Sequence, residues 1–354
     1  LYGTPAYREV EPTAFFALSF LLMFGLMFGD VGHGLVLFAA GWCLFRYVPR
    51  YLDYGIMLME GGVSSAVFGG LYGSVFGMNL LPAVWMEPLA DLPRFMWIAA
   101  GLGAFLVSAG LVLNVVNTWR SGEPAAALFG SRGLFGAFLY WVLLALVVRA
   151  FLPVDFALPG WVLMTLVASA ALLLVLRPVI VPRLERRRPP RPAHAVPIWL
   201  VLLDGSVEIV DAVFSFFANT ISFVRVAAFA AVHAGIFIAL FSVADTLARL
   251  RFGGETLSLV SIVAGNILIV LLEGLTVSVQ VLRLEYYEFF SKFFRGGGEP
   301  YRPLMLRVRA GKDDHDSDRT RTPPAAGGDG AGAGAAAADP GARPRAGAGG
   351  IAAL

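Results

Sequence analysis

The hydrophobic positions of this chain fall in unbroken blocks rather than in narrow periodic stripes: near residues 12–29, 31–46, 55–79, 95–118, 133–152, 158–182, 198–244 and 256–294. A helix of about 20 apolar residues crosses the hydrocarbon core of a bilayer. The blocks therefore predict about eight transmembrane helices and an all-α integral membrane fold, because in lipid only helices or closed barrels satisfy the backbone. The second block is short, with Arg46 following soon after His33, and predicts a short or kinked span. The last two are too long to stand upright. About 40 helical residues extend roughly 60 Å, twice the hydrocarbon thickness, so these helices must tilt strongly, bend or continue into water.

Composition agrees with the pattern: 58% of the residues are hydrophobic and 15% charged, outside the range of soluble domains. A net charge of +2 gives no reason to expect a nucleic-acid partner. Basic residues gather at block ends and act as topology signals. Arg46 and Arg50, then Arg120 and Arg132, then Arg183, Arg186, Arg187, Arg188 and Arg191 mark alternate loops, whereas DVGHG has no Lys or Arg and MNLLPAVWMEPLADLPR sets Arg94 against Glu87 and Asp91. The positive-inside rule then puts both chain ends in the cytoplasm. The run RLERRRPPRP reads as a solvated cytoplasmic loop, and SKFFRGGGEPYRP as a strong helix stop. From about residue 311 the Ala/Gly/Pro-rich sequence predicts a disordered tail, leaving 1–310 as the transmembrane domain. Cys43, the single cysteine, is expected to be a buried small hydrophobe. The chain begins with Leu1 and enters its first block almost at once, and is expected to be a piece of a longer protein.

The polar residues inside the last two blocks carry the chemistry. Between Asp211 and Asp245 the only fixed charge is Arg225. A guanidinium near a helix centre costs about 3 kcal/mol even on the lenient insertion scale, and neither surface is within easy reach for snorkelling. Asp211 lies about 40° from Arg225 around the helix and roughly 21 Å along it; Ser222 leans the same way, while Asn219 and His233 lie farther round. On the last helix Glu273, Thr276, Gln280 and Arg283 fall within about 80° of one another. Such a stripe must face protein or water and points to an ion or proton path. For His233, hydrogen-bonded packing competes with relay chemistry. No phosphate-binding loop is present, so no ATP site and no cofactor are expected, and glycine-rich pieces such as FGGLYGSVFG read as close helix packing. His33 stands apart from other metal ligands, which argues against a metal site. Glu60 is an intramembrane carboxylate without an obvious partner.

The segments FGLMFGDVGHG, YGSVFG, NTISFVRVAAFAAVHAG, LLEGLTVSVQVLRLEYYEFFSKFF and GGGEPYRPL occur in this order from about residue 10 to residue 305. Together they resemble the membrane domain of the large stator subunit of rotary V-type and A-type ATPases, subunit a or subunit I. The most specific part is SFVRVAAFAAVHA paired with an EG dipeptide ten residues ahead of a second arginine. The resemblance implies a proton-conducting stator packed against a rotating proteolipid ring, with other stator and stalk subunits and the lipid bilayer as further partners. It places the family's essential arginine on Arg225 and the second on Arg283, both contacting a ring carboxylate. It also assigns the acidic residue to Glu273, the half-channel histidine to His233 and the polar residue before the second arginine to Gln280. In this scheme Glu273, Gln280 and Thr276 line one half-channel, and Asp211 with Glu208 open the other. Glutamine at 280 is closer to the prokaryotic pattern, which suggests a prokaryotic cell membrane. The family's N-terminal cytosolic arm has no counterpart in this sequence. Two other readings stay open from the residues alone: a secondary transporter or channel using the same stripe, which should show related halves, and a non-conducting assembly scaffold.

Overall fold

The computed structural model describes residues 9–151, 159–177, 181 and 198–294; RLERRRPPRP, the RGGGEPYRP part of the helix stop and the Ala/Gly-rich tail lie outside the described residues. The described residues are almost wholly helical. In order come α1 (Thr13–Met27), α2 (Val31–Tyr47), α3 (Leu52–Tyr72), a two-residue hairpin of β1 (Ser74–Val75) and β2 (Met78–Asn79), then α4 (Leu92–Arg120), α5 (Pro124–Phe129), α6 (Leu134–Phe151), α7 (Gly160–Val175), α8 (Ile198–Ser222), α9 (Val224–Ala248) and α10 (Gly254–Phe293). Among the described residues four stretches, Leu92–Arg120, Pro124–Phe151, Leu202–Ala248 and Gly254–Phe293, are long and apolar enough to cross a membrane; Thr13–Met27, Val31–Tyr47 and Gly160–Val175 are apolar but shorter. Only 22% to 39% of an 18-residue apolar window in each long stretch is buried within the protein. The outward remainder, with exposed residues such as Leu18, Phe105 and Trp161, is the surface that lipid rather than a core would cover.

Local chemistry sets the breaks. Asp30 caps α2, its side chain accepting from the His33 amide at 2.9 Å, and so separates α1 from α2 within the DVGHG turn. Gly73, in the left-handed conformation at φ 78°, stops α3 and turns the chain into the hairpin, so the block predicted near 55–79 ends as helix at Tyr72. Glycines also bring α2 and α3 together: a Cβ on Gly34 would lie 2.6 Å from the Gly62 carbonyl oxygen, so the backbones touch there without side chains between them.

The block near 198–244 resolves into two helices. At Phe223 the backbone bonding tightens to three-residue steps, Phe223 N to Thr220 O at 3.3 Å and Val226 N to Phe223 O at 2.9 Å, and the Phe223 ring is fully buried in the main core. Arg225 follows two residues later. The last block remains one helix but carries two π-turns, Ile269–Glu273 and Glu285–Phe290. Such turns insert an extra residue into the helical register and recur at functional sites. α9 and α10 form a long antiparallel hairpin closed by the Leu250–Gly253 turn, while α1 packs between α3, α9 and α10, and α4 packs against α8, α9 and α10. The main core includes Met23, Phe28, Val107, Phe223, Val277 and Phe289; a smaller one joins Leu139, Ala170 and Leu174. At the C-terminal end of α10, Arg132 Nη1 donates to Ser291 O at 2.7 Å and Asn117 Nδ2 to Phe293 O at 3.4 Å, satisfying helix-end carbonyls.

One expectation is overturned here. Cys43 is exposed on α2 rather than buried. Hydrophobicity sends a side chain inward only when the alternative is water; on a helix whose outer face is itself apolar, a small apolar residue faces either way at little cost.

Candidate functional site

The polar residues of the last two long stretches meet in register. His233 Nδ1 lies 2.9 Å from Glu273 Oε2. Arg225 Nη1 donates to Gln280 Oε1 at 3.4 Å, and Lys292 Nζ donates to Ser215 Oγ at 3.4 Å. Each step backward along α9 and α8 is thus matched by a step forward along α10, as antiparallel pairing requires. From His233 to Ser215 the contacts span about 27 Å of helix, close to the roughly 30 Å of a bilayer's hydrocarbon core.

Helical phase explains the exposure of the four-residue stripe on α10. Taking Glu273 as origin, Gln280 sits about 20° round, Thr276 about 60° and Arg283 about 80° on the same side. Glu273 is buried, Gln280 half-buried, and Thr276 and Arg283 exposed. The stripe therefore straddles an edge: one side turns into the hairpin interface and the other looks outward. Thr276 returns its hydroxyl to the Leu272 carbonyl at 2.7 Å. Arg225, on the facing helix, is half-buried and lies within electrostatic range of Arg283 and Glu288. No carboxylate comes within the 4.0 Å ion-pairing distance of Arg225 among the described residues.

On the His233 side the surroundings are aromatic. His233 and Glu273 are 5% and 7% exposed; their contact has ion-pair length without hydrogen-bond alignment, and neither has another hydrogen-bond partner among the described residues. His33, which stands apart in sequence, is brought to 5.9 Å from the His233 ring, with Phe28 and Phe237 against both imidazoles. Its Nε2 meets Asn266 Oδ1 at 3.0 Å, and Asn266 Nδ2 donates to Ile262 O at 2.8 Å. Since the amide nitrogen is occupied, Oδ1 is the acceptor and His33 Nε2 carries a proton. Beside His233 lies a cavity of about 430 Å³ bordered by Met27, Tyr72, Ser74, Glu87 and Phe237, with exposed Glu87 on the α3–α4 connection.

Asp30 fixes one wall of this region. It is fully buried, and its carboxylate accepts from four donors: His33 N (2.9 Å), Phe76 N (2.9 Å), Gly77 N (2.8 Å) and Ser74 Oγ (2.7 Å). A buried carboxylate is tolerable only with such saturation. Burial pushes the Asp30 carboxyl up, but the hydrogen bonds from the Gly77 and His33 amides and the Ser74 hydroxyl outweigh it and hold the group below the usual carboxylate value.

On the Lys292 side the partners are hydroxyls, an amide and charges. Asn219 Nδ2 donates to Ser215 Oγ at 3.3 Å, and Ser222 lies near Glu288. Asp211 is exposed and within electrostatic range of Lys292. Glu208, expected beside Asp211 at an opening, pairs with Arg177 at 2.9 Å. Glu60 is exposed on α3. Sequence reasoning missed Asp30, Asn266, Glu285, Glu288 and Lys292 as site residues, and Glu285 is fully buried beside Ser19 of α1. The available signal was that charged residues continue past Arg283 at one-turn spacing, Glu288 to Lys292.

Comparison with known proteins points to a family. Residues 1–72 match the model of the V-type ATPase 116kDa subunit family. The A-type ATP synthase subunit I of Aeropyrum pernix is 28% identical over 348 residues, covering 86% of this chain and 49% of the relative. The protein of the same name in Halobacterium salinarum is 28% identical over 357 residues, covering 84% and 48%. A V-type ATP synthase subunit I 2 of Treponema pallidum is 33% identical over 145 residues, covering 34% and 32%. The chain spans about half the length of the A-type relatives it matches. Its polar hairpin, its FGDVGHG turn and these likenesses agree in making the chain similar to the subunit a/subunit I family of V-type and A-type ATPases.

Proposed function

We propose that this chain is a proton-translocating stator subunit of a V/A-type ATPase, working against a rotating proteolipid ring. The observation that carries the reading is the polar register of the final hairpin, with Arg225 between a buried acid–base contact on one side and a hydroxyl- and charge-lined tract on the other. The His233–Glu273 side, with its cavity, serves as one aqueous half-channel; the tract from Asp211 through Ser215, Asn219 and Ser222 serves as the other. Arg225 and the exposed Arg283 form the contact for a ring carboxylate, with Gln280 and Thr276 on the same edge. A ring carboxylate is neutral while it faces lipid and ionises where water or a cation reaches it. Arg225 favours the ionised form and blocks a direct leak between the offset half-channels. Protons must then ride the ring, converting about 2.3 kcal/mol per charge per 100 mV into rotation, or being driven uphill by it. ATP synthesis and hydrolysis use the same path in opposite directions.

In this reading the chain crosses the membrane about eight times with both ends cytoplasmic, and the two long helices accommodate their excess length by tilting. Other stator and stalk subunits complete the machine. The test is ATP-driven acidification of vesicles by the assembled complex. Arg225→Ala is expected to reduce acidification to background while the proteolipid ring still co-purifies, and Arg225→Lys to fail as well because a point charge lacks the planar fork. Intact coupled transport in Arg225→Ala would instead make the chain a non-conducting scaffold. Conduction by the purified chain without any ring would make it a self-contained channel.

A further inference from the structure

Around one carboxylate on the Lys292 side the hairpin gathers an excess of positive charge. Arg225 and Arg283 lie within electrostatic range of each other, so two guanidinium charges repel across the edge of the hairpin. Lys292 is 4% exposed, one turn beyond Glu288, and bonds Ser215. Glu288 is 7% exposed, lies near Ser222, and is within electrostatic range of Arg225, Arg283 and Lys292. It sits in the second π-turn, which packs against α1, α4 and α8 and so has little freedom to move.

The separation matters. A carboxylate in direct contact would fill the donor fork of Arg225 with a bidentate pair. Among the described residues the fork meets only the neutral Gln280 oxygen at 3.4 Å, and every carboxylate stays beyond 4.0 Å. Coulomb attraction falls off only as the inverse of distance, whereas a hydrogen bond requires contact. A carboxylate held back from the fork can thus offset repulsion without competing for the donors.

We propose that Glu288 is the resident counter-charge of the arginine pair: it steadies Arg225 and Arg283 against their mutual repulsion, is itself held by Lys292, and leaves the Arg225 fork open to an incoming carboxylate. This makes Glu288 a positioning residue, and the assignment rests on the stator function proposed above. A proton relay at this position would need a titratable group; a counter-charge needs only the right local balance of charge.

The experiment compares assembled complexes carrying Glu288→Gln, Lys292→Met, both substitutions together, or Arg225→Ala, by ATP-driven acidification and by co-purification of the ring. Glu288→Gln should lower acidification at least about tenfold, because it removes the counter-charge of the arginine pair and raises the local net charge by one. Adding Lys292→Met restores the local net charge and should bring acidification back to within about threefold of wild type, a coupling of opposite sign to additive structural damage. A double variant no better than Glu288→Gln alone overturns the proposal, as does wild-type acidification in Glu288→Gln. Should Glu288→Gln fail to hold the ring, recovery of the ring by the double variant supports the proposal and its continued absence overturns it. Arg225→Ala separates the two levels: transport intact in that variant defeats the stator reading itself, whereas a silent Arg225→Ala beside an unaffected Glu288→Gln defeats only the counter-charge.

Discussion

On the His233 side of Arg225 the final hairpin buries a histidine against a carboxylate inside a cage of aromatic rings; on the Lys292 side it buries a lysine against a serine hydroxyl, one turn from a carboxylate. The first region is walled by α1, α2 and the β-hairpin and borders a cavity. The second is walled by α4 and α8, with amide and hydroxyl side chains between its charges. Proximity of two titratable groups with few other partners suits proton exchange at a fixed place. Several cations around one carboxylate suit the balancing of charge instead. Two tracts built from the same pair of helices differ because different neighbours surround them.

The strongest way to break this contrast is to remove the wall of only one tract. Gly62→Leu would force a side chain to within 2.6 Å of the Gly34 carbonyl oxygen and the Phe38 amide. Overpacking of that kind costs about 1–3 kcal/mol or more, and separation of α2 from α3 should displace His33. Hydrogen exchange should rise through α2 and α3 while the α8–α10 contact at Ser215 stays protected; equal loosening of both regions would show that the tracts are not independently supported.

A smaller effect is expected at the acid–base contact. Glu273→Gln keeps the shape and removes the ionisable group, and ATP-driven acidification should fall by about a hundredfold if the group exchanges protons. Ser215→Ala, on the other side, should cost no more than a few-fold. Equal losses from the two substitutions would erase the distinction.

Asp30 offers a milder perturbation of the His233 side. Asp30→Asn removes charge-assisted bonds to the hairpin, and a loss of about 2 kcal/mol in local stability should appear as faster hydrogen exchange at Phe76 and Gly77. The acid dependence has a definite sign. Because the folded Asp30 titrates below its unfolded value, its stabilisation is present above the unfolded value and disappears as pH falls through the lowered one. The hairpin should stay docked near neutrality and loosen only in strong acid; protection at Phe76 that already falls near neutral pH would contradict this. The smallest effect is at Cys43, exposed on α2. In a bilayer it should react with a membrane-permeant maleimide and not with a charged one, and Cys43→Ser should leave transport unchanged.

Particular residues show where sequence reading stopped. Arg225 was legible from the cost of charge in lipid, and Glu273 and Gln280 from the phase of the last helix, whereas for His233 the residues alone left packing and relay chemistry open. His33, Asn266 and Asp30 were not, since their significance depends on contacts with residues more than forty positions away or on backbone amides of another element. The break at Phe223 was hidden because no proline or glycine marks it; the tight turn is accompanied by burial of a ring in the main core. Glu208 shares a helix with Asp211 and pairs with Arg177, a contact that only the tertiary structure reveals.

The sequence by itself determined the apolar helices, the anomalous Arg225 and the phase of the α10 stripe, because bilayer thickness and 3.6-residue periodicity act locally along the chain. Tertiary structure alone decided the rest: which rung of α9 faces which rung of α10, which side of Arg225 receives His33 and which receives Glu288, and which apolar residues face outward. Those outcomes depend on antiparallel register and on neighbouring helices. An apolar residue experiences lipid and protein core almost alike, so hydrophobicity without packing does not distinguish the two.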